Sequence, residues 1–143
     1  MGKPDSAMMA PVERLAQFIE GGAKGLPQGI FAEKGVTIVE NFAPFVFTGP
    51  GALDAWVAGM HAHLEGVTDL RHGFGDACDF SQAGDEVFFS LPTSWSGVNR
   101  GQPFAESGGW AFMLTRESGV WRVAAYGWAV IQTTCETLMD HLT

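Results

Sequence analysis

Positive charge is what this chain has least of. Eight Lys and Arg stand against sixteen Asp and Glu, a formal net charge of −8. Phosphate backbones are held by basic side chains, so no nucleic acid partner is expected. The same acidity argues against an anionic membrane surface. No apolar run approaches the roughly 18–20 residues that cross a bilayer. Residues 1–10 carry no apolar stretch of the signal-peptide kind, so a cytoplasmic location is the default expectation. The only cysteines, Cys78 and Cys135, lack the CxxC spacing of a metal knuckle and read as free, buried thiols. No GxGxxG or GxSxG motif occurs, and Gly49–Gly51 is not followed by the Lys-Ser/Thr of a phosphate cradle. His61 and His63 stand two apart, whereas helical metal pairs need a spacing of four. They read as solvated edge residues. Neither cofactor nor metal is expected.

Apolar and aromatic residues are plentiful. The chain is 46% hydrophobic and only 17% charged, with eleven Phe and five Trp against one Tyr. That composition excludes disorder. The 143 residues suit one domain spanning 1–143, with residues 1–9 as a tail.

Helical material comes first. Val12, Leu15, Phe18 and Ile19 form a stripe that predicts a helix over 11–20, with Pro11 in its first turn and Gly21-Gly22 ending it. A short helical turn is expected at Ile30–Ala32. Val36–Phe47 reads as extended, with a bend at Pro44. Leu53, Trp56, Val57, Met60 and Leu64 share one face of a second helix over 52–64. Alternation then predicts strands at Leu70–Phe80, Glu86–Trp95, Phe104–Thr115 and Val120–Gln132. Turns fall at Gly84-Asp85, Asn99-Arg100-Gly101 and Glu117-Ser118-Gly119. Helices before a meander imply an α+β fold.

A long antiparallel sheet curls as it twists. Wrapped around the helices, it encloses a cone lined by alternate residues of each strand. Expected linings are His72, Phe74, Asp76, Cys78 and Phe80 from one strand, and Trp110, Phe112 and Leu114 from another. On the last strand either Trp121, Val123, Ala125 and Gly127 or Arg122, Ala124, Tyr126 and Trp128 face inward, because one β-bulge reverses the parity. Both faces of several strands are apolar. The face away from the cone is therefore expected to meet a second subunit.

Three stretches carry a family resemblance. They are the run from Val36 through Gly49-Pro50-Gly51 to Trp56, the stretch Gly101–Leu114, and the closing Gly119-Val-Trp-Arg-Val followed by Ala124–Trp128. In order and spacing, the chain resembles SnoaL-like proteins of the nuclear-transport-factor-two-like (NTF2-like, cystatin-like) superfamily, related to ketosteroid isomerase and polyketide cyclases. The resemblance implies a cone-shaped fold, usually dimeric, with a pocket for a small apolar or cyclic organic ligand. Catalytic members place a carboxylate or His in that cone, where burial moves its pKa towards neutrality. Many members only bind, so fold alone does not assign a reaction. No Asp can be paired with the single Tyr126 by match, so ketosteroid isomerase chemistry is not carried over.

His72 is the leading candidate for proton transfer, helped by Glu40 or Asp76, with Glu106 as a weaker candidate. Phe45, Trp56, Met60, Phe74, Trp110, Phe112, Tyr126 and Trp128 are the expected pocket residues. Three functions stay open: an isomerase, cyclase or dehydratase using acid–base catalysis; a non-catalytic binder; and an interaction module docking through its sheet.

Overall fold

The computed structural model describes residues 2–133; Cys135 lies outside them. Helix α1 spans Ser6–Glu20. The Asp5 carboxylate caps it by accepting a hydrogen bond from the Met8 N–H at 2.9 Å. The helix therefore begins before Pro11. Residues 6–9, read as tail from the sequence, are helical, and Met8 is buried. The predicted stripe of Val12, Leu15, Phe18 and Ile19 is buried with it. Helix α2 spans Ala52–His63 and buries Ala52, Trp56 and Met60. Leu53 and Val57, expected on the same face, are half-buried.

Seven strands form one mixed sheet. They are β1 (Thr37–Val39), β2 (Val46–Thr48), β3 (Val67–Phe74), β4 (Cys78–Ala83), β5 (Glu86–Asn99), β6 (Gln102–Glu117) and β7 (Val120–Thr133). The order is β2-β1-β7-β6-β5-β3, with β4 also on β5. β5 and β6 pair without interruption from Glu86 opposite Thr115 to Asn99 opposite Gln102. β1 runs parallel to β7, with Ile38 opposite Tyr126. The helices pack on the sheet around a core that includes Val12, Leu15, Ile38, Trp56, Phe89, Phe112, Leu114 and Val123. Each such side chain contributes about 1.5–3 kcal/mol by leaving water.

Three expectations from the sequence are corrected. Ile30–Ala32 is not helical. Phe31 forms a parallel bridge with Val123, the Val123 N–H donates to the Ile30 carbonyl, and the Ala32 N–H donates to the Val123 carbonyl. Three residues are too few to nucleate a helix when a strand offers these partners. The single strand expected at Leu70–Phe80 is two strands on one neighbour. β3 reaches Phe74 opposite Thr93, and β4 begins at Cys78 opposite Ser90. Pro92 lies between those partners on β5 and has no N–H to donate. Only the Gly75 N–H bonds across the gap, to the Pro92 carbonyl at 2.8 Å. Cys78, expected to be buried, is exposed and free.

A bulge in β7 settles the parity. Met113 pairs with Ala125, but the next residue, Leu114, pairs with Val123, leaving Ala124 as the extra residue. Trp121 and Val123 on one side of the bulge and Tyr126 on the other are consequently all buried.

Candidate functional site

A cavity of about 330 Å³ lies between the sheet and the C-terminal ends of both helices. Its wall takes Ile19 from α1, Met60 and His63 from α2, Leu70 from β3, Trp95 from β5, Phe104, Glu106 and Trp110 from β6, and Tyr126 and Trp128 from β7. Glu40 and Asn41 enter from the loop after β1. Exposure marks its direction. Asn41, His63, Asn99 and Gln102 are open to solvent, whereas Glu40, Leu70, Trp95, Trp110 and Tyr126 are buried. The mouth is therefore polar and the floor is aromatic with one carboxyl.

Glu40 is held by its backbone and by two side chains. Its N–H donates to the Phe45 carbonyl at 2.8 Å across the turn that joins β1 to β2. Trp56 Nε1 donates to Glu40 Oε2 at 3.0 Å, and the Tyr126 hydroxyl donates to the same oxygen. No hydrogen bond reaches Oε1 among the described residues. Burial raises the Glu40 carboxyl above its ordinary range, and the two donors partly oppose the rise. Tyr126 is pushed well above a free phenol, first by burial and then by the neighbouring Glu40 charge. It stays a donor at any physiological pH. Burial likewise raises Glu106 and lowers His63. The His63 ring stacks on Phe42 with centroids 4.6 Å apart.

His72 is on β3, and its Nδ1 stands 2.6 Å from Glu20 Oε2 at the end of α1. The His72 N–H donates to the same oxygen at 2.7 Å. Both side chains are about one-fifth exposed, 20% and 23%. His72 is not among the cavity's lining residues, but its neighbours are. Trp95, its cross-strand partner, lines the cavity, and their rings are 5.7 Å apart. Ile19, which precedes Glu20, lines it too. The pair thus stands against the outside of the wall.

Asp76 is elsewhere. It sits exposed in the break between β3 and β4 and shares no strand face with His72. Of the expected pocket residues, Met60, Trp110, Tyr126 and Trp128 line the cavity. Trp56 and Phe112 are fully buried behind it. Phe74 contacts His72 and Trp110 without lining it, with centroids 4.7 and 6.5 Å away. Phe45 is 54% exposed on the turn before β2. His61 and His63 are exposed, as expected of solvated edge residues, and each also has a role. The His61 ring bonds the Gly22 carbonyl through Nδ1 at 2.9 Å, and His63 lines the cavity. Sequence reasoning missed Glu20, whose only local sign is its place before the Gly21-Gly22 helix stop.

No protein-family profile and no curated protein matches the chain. Solved structures do. Kfla4162 from Kribbella flavida superposes with a TM-score of 0.77 over 94% of this chain and 95% of its own, at 12% identity. The hexachlorocyclohexane dehydrochlorinase LinA-type3 from Novosphingobium barchaimii LL02 gives 0.72 over 90% and 87%, at 16% identity. An NTF2-like protein from Cytophaga hutchinsonii gives 0.66 over 91% and 100%, at 13% identity. This is the NTF2-like fold, an α+β curved sheet around two helices, as the sequence resemblance implied. No helix among the described residues is long and apolar enough to cross a membrane.

Proposed function

We propose that the protein binds a small, mainly apolar organic molecule in the cavity and moves a proton on it. His72 acts as the base, oriented by Glu20, and Glu40 presents its free Oε1 to the ligand. The observation that carries this reading is the Glu20–His72 pair standing against an aromatic cavity. A carboxylate that fixes one ring nitrogen leaves the other free to take a proton. A dehydrochlorinase has the same fold, and removing HCl from a carbon skeleton requires a base. Isomerisation, cyclisation and dehydration need the same group.

One feature favours a second reading, a binder without turnover: His72 does not line the cavity. A thermal-shift screen with small ring compounds tests both, because a ligand stabilises the fold whether or not it reacts. On the first reading His72→Ala keeps ligand stabilisation and loses turnover, and Glu40→Gln weakens binding. Turnover that survives His72→Ala rejects the base assignment. Binding with no turnover in the wild type establishes the second reading, and a screen without hits removes both.

The outer sheet face supports a homodimer. Val39, Phe88 and Ile131 are 44%, 39% and 78% exposed. A depression beside them is lined by Ala111, Gly127 and Ala129. A contiguous exposed apolar patch marks an interface, and in a two-fold dimer the same face of each copy meets the other. Sedimentation velocity is expected to give a dimer, and Phe88→Glu with Ile131→Glu a monomer. A monomeric wild type at high concentration removes the proposal.

A further inference from the structure

The cavity has two carboxyls and one imidazole, His63, which burial moves towards its neutral form. The carboxyls are Glu40 and Glu106, and the described lining contains neither Lys nor Arg. The two carboxyls differ. Glu40 already accepts two hydrogen bonds. The Glu106 carboxyl enters none of the side-chain hydrogen bonds or ion pairs among the described residues. It lies directly across from Trp95 in the β5–β6 register. Phe104, two residues away, shares its face of the sheet and also lines the cavity. Trp110 and Trp128 extend the same wall, with ring centroids 6.0 Å apart. A half-buried carboxyl set among aromatic rings has lost hydration and gained no partner among the described residues.

Aromatic faces attract cations within about 6 Å of the ring centre. A cation here would meet indole faces and a carboxylate together, and its arrival would favour the ionised form of Glu106. An anion would meet two carboxyls, no counter-charge, and the field of a chain with net charge −8.

We propose that the cavity selects an organic cation, an amine or quaternary ammonium carried on a small apolar ring, with Glu106 as counter-ion and the surrounding indole faces as its cage. This rests on the small-molecule reading of the cavity and names the ligand class. It does not depend on whether the ligand is turned over.

Two probes of equal shape, phenyltrimethylammonium and its carbon isostere tert-butylbenzene, separate charge from fit, and benzoate adds a smaller, planar anion as the third. Calorimetric titration at neutral pH and low salt is expected to rank them in that order, with the cation about tenfold tighter than the isostere. Glu106→Gln keeps the side-chain size. It should weaken phenyltrimethylammonium about tenfold and leave tert-butylbenzene unchanged. The isostere's unchanged affinity also certifies that the variant is folded. Equal affinity for cation and isostere overturns the charge inference and leaves the cavity reading intact. A cation preference that survives Glu106→Gln overturns the counter-ion assignment. Binding of none of the three overturns the inference and the cavity reading together.

Discussion

Glu20 Oε2 accepts two hydrogen bonds from His72, one from the backbone N–H at 2.7 Å and one from Nδ1 at 2.6 Å. A carboxylate oxygen that accepts the backbone N–H is also placed to accept from Nδ1, which leaves Nε2 as the ring nitrogen open to a proton. The backbone bond also fixes the end of α1 on β3. Glu20→Gln changes what the ring sees, because an amide can donate to Nδ1 and stabilise the opposite tautomer. Turnover of a ligand found in the thermal-shift screen is expected to fall about 10²–10⁴-fold in His72→Gln. Glu20→Gln should fall by less. Ligand affinity should hold in both, because a base that acts in the transition state adds little to ground-state binding. Unchanged turnover in Glu20→Gln would show that the carboxylate holds the helix and does not set the tautomer.

Tyr126 and Trp56 both donate to Glu40, so three buried polar groups share one satisfied cluster. Burial raises the Glu40 carboxyl in the folded state. The folded protein therefore holds this proton more tightly than the unfolded chain. The resulting stability is fully present below the unfolded carboxyl's pKa of about 4.3 and is lost as pH rises through the folded value. Glu40→Gln keeps an acceptor for both donors and cannot ionise. Its stability relative to wild type is expected to climb across that pH interval, measured by urea unfolding at several pH values. Tyr126→Phe removes one opposing donor. It should cost about 1–3 kcal/mol and push the Glu40 carboxyl higher still. A difference between Glu40→Gln and wild type that stays flat with pH would mean that Glu40 keeps an ordinary pKa.

The sequence carried the helices and hairpins because both are local. The stripe from Val12 to Ile19 and the stripe around Trp56 repeat at helical spacing, and each helix buries the centre of its stripe. Gly84-Asp85, Asn99-Arg100-Gly101 and Glu117-Ser118-Gly119 each separate two observed strands. The site was less legible because its determinants are not local. Ala124 is an ordinary residue in an alternating strand, yet as the extra residue of a bulge it brings Tyr126 and Trp128 to the cavity while Val123 stays in the core. Pro92 breaks the continuation of β3 into β4 from the neighbouring strand. That break takes Asp76 off the strand and away from His72. Glu20 reaches His72 across 52 positions of sequence, and no periodicity encodes that meeting. In the sequence Glu40 shows only as the polar residue that follows the apolar segment Val36–Val39. Its two donors come from the second helix and the last strand, which only the folded sheet brings together.

Gly108 and Gly109 are neighbours on β6 with opposite tolerance for a side chain. A Cβ on Gly108 would stand 1.9 Å from the Ala129 carbonyl oxygen and 3.0 Å from Val130 Cα, whereas one on Gly109 meets nothing within 4 Å. The crowding has a cause. The β6–β7 register shifts between Ser107 and Gly108, and the bulge draws β7 backbone over Gly108. Its neighbour atoms are main chain and cannot rotate away, so Gly108→Ala must displace β7 itself. The expected cost is about 3 kcal/mol. Gly109→Ala should be neutral or stabilise by up to about 1 kcal/mol, through the unfolded chain's lost freedom. Glu106 and Trp110 flank this point on the cavity face, so Gly108→Ala should also weaken phenyltrimethylammonium binding, while Gly109→Ala leaves it intact. Urea unfolding and calorimetric titration of the two variants check both effects. Equal behaviour of the pair would mean that β7 does not approach β6 as closely as the bulge implies, and that the wall carrying Glu106 is not fixed by it.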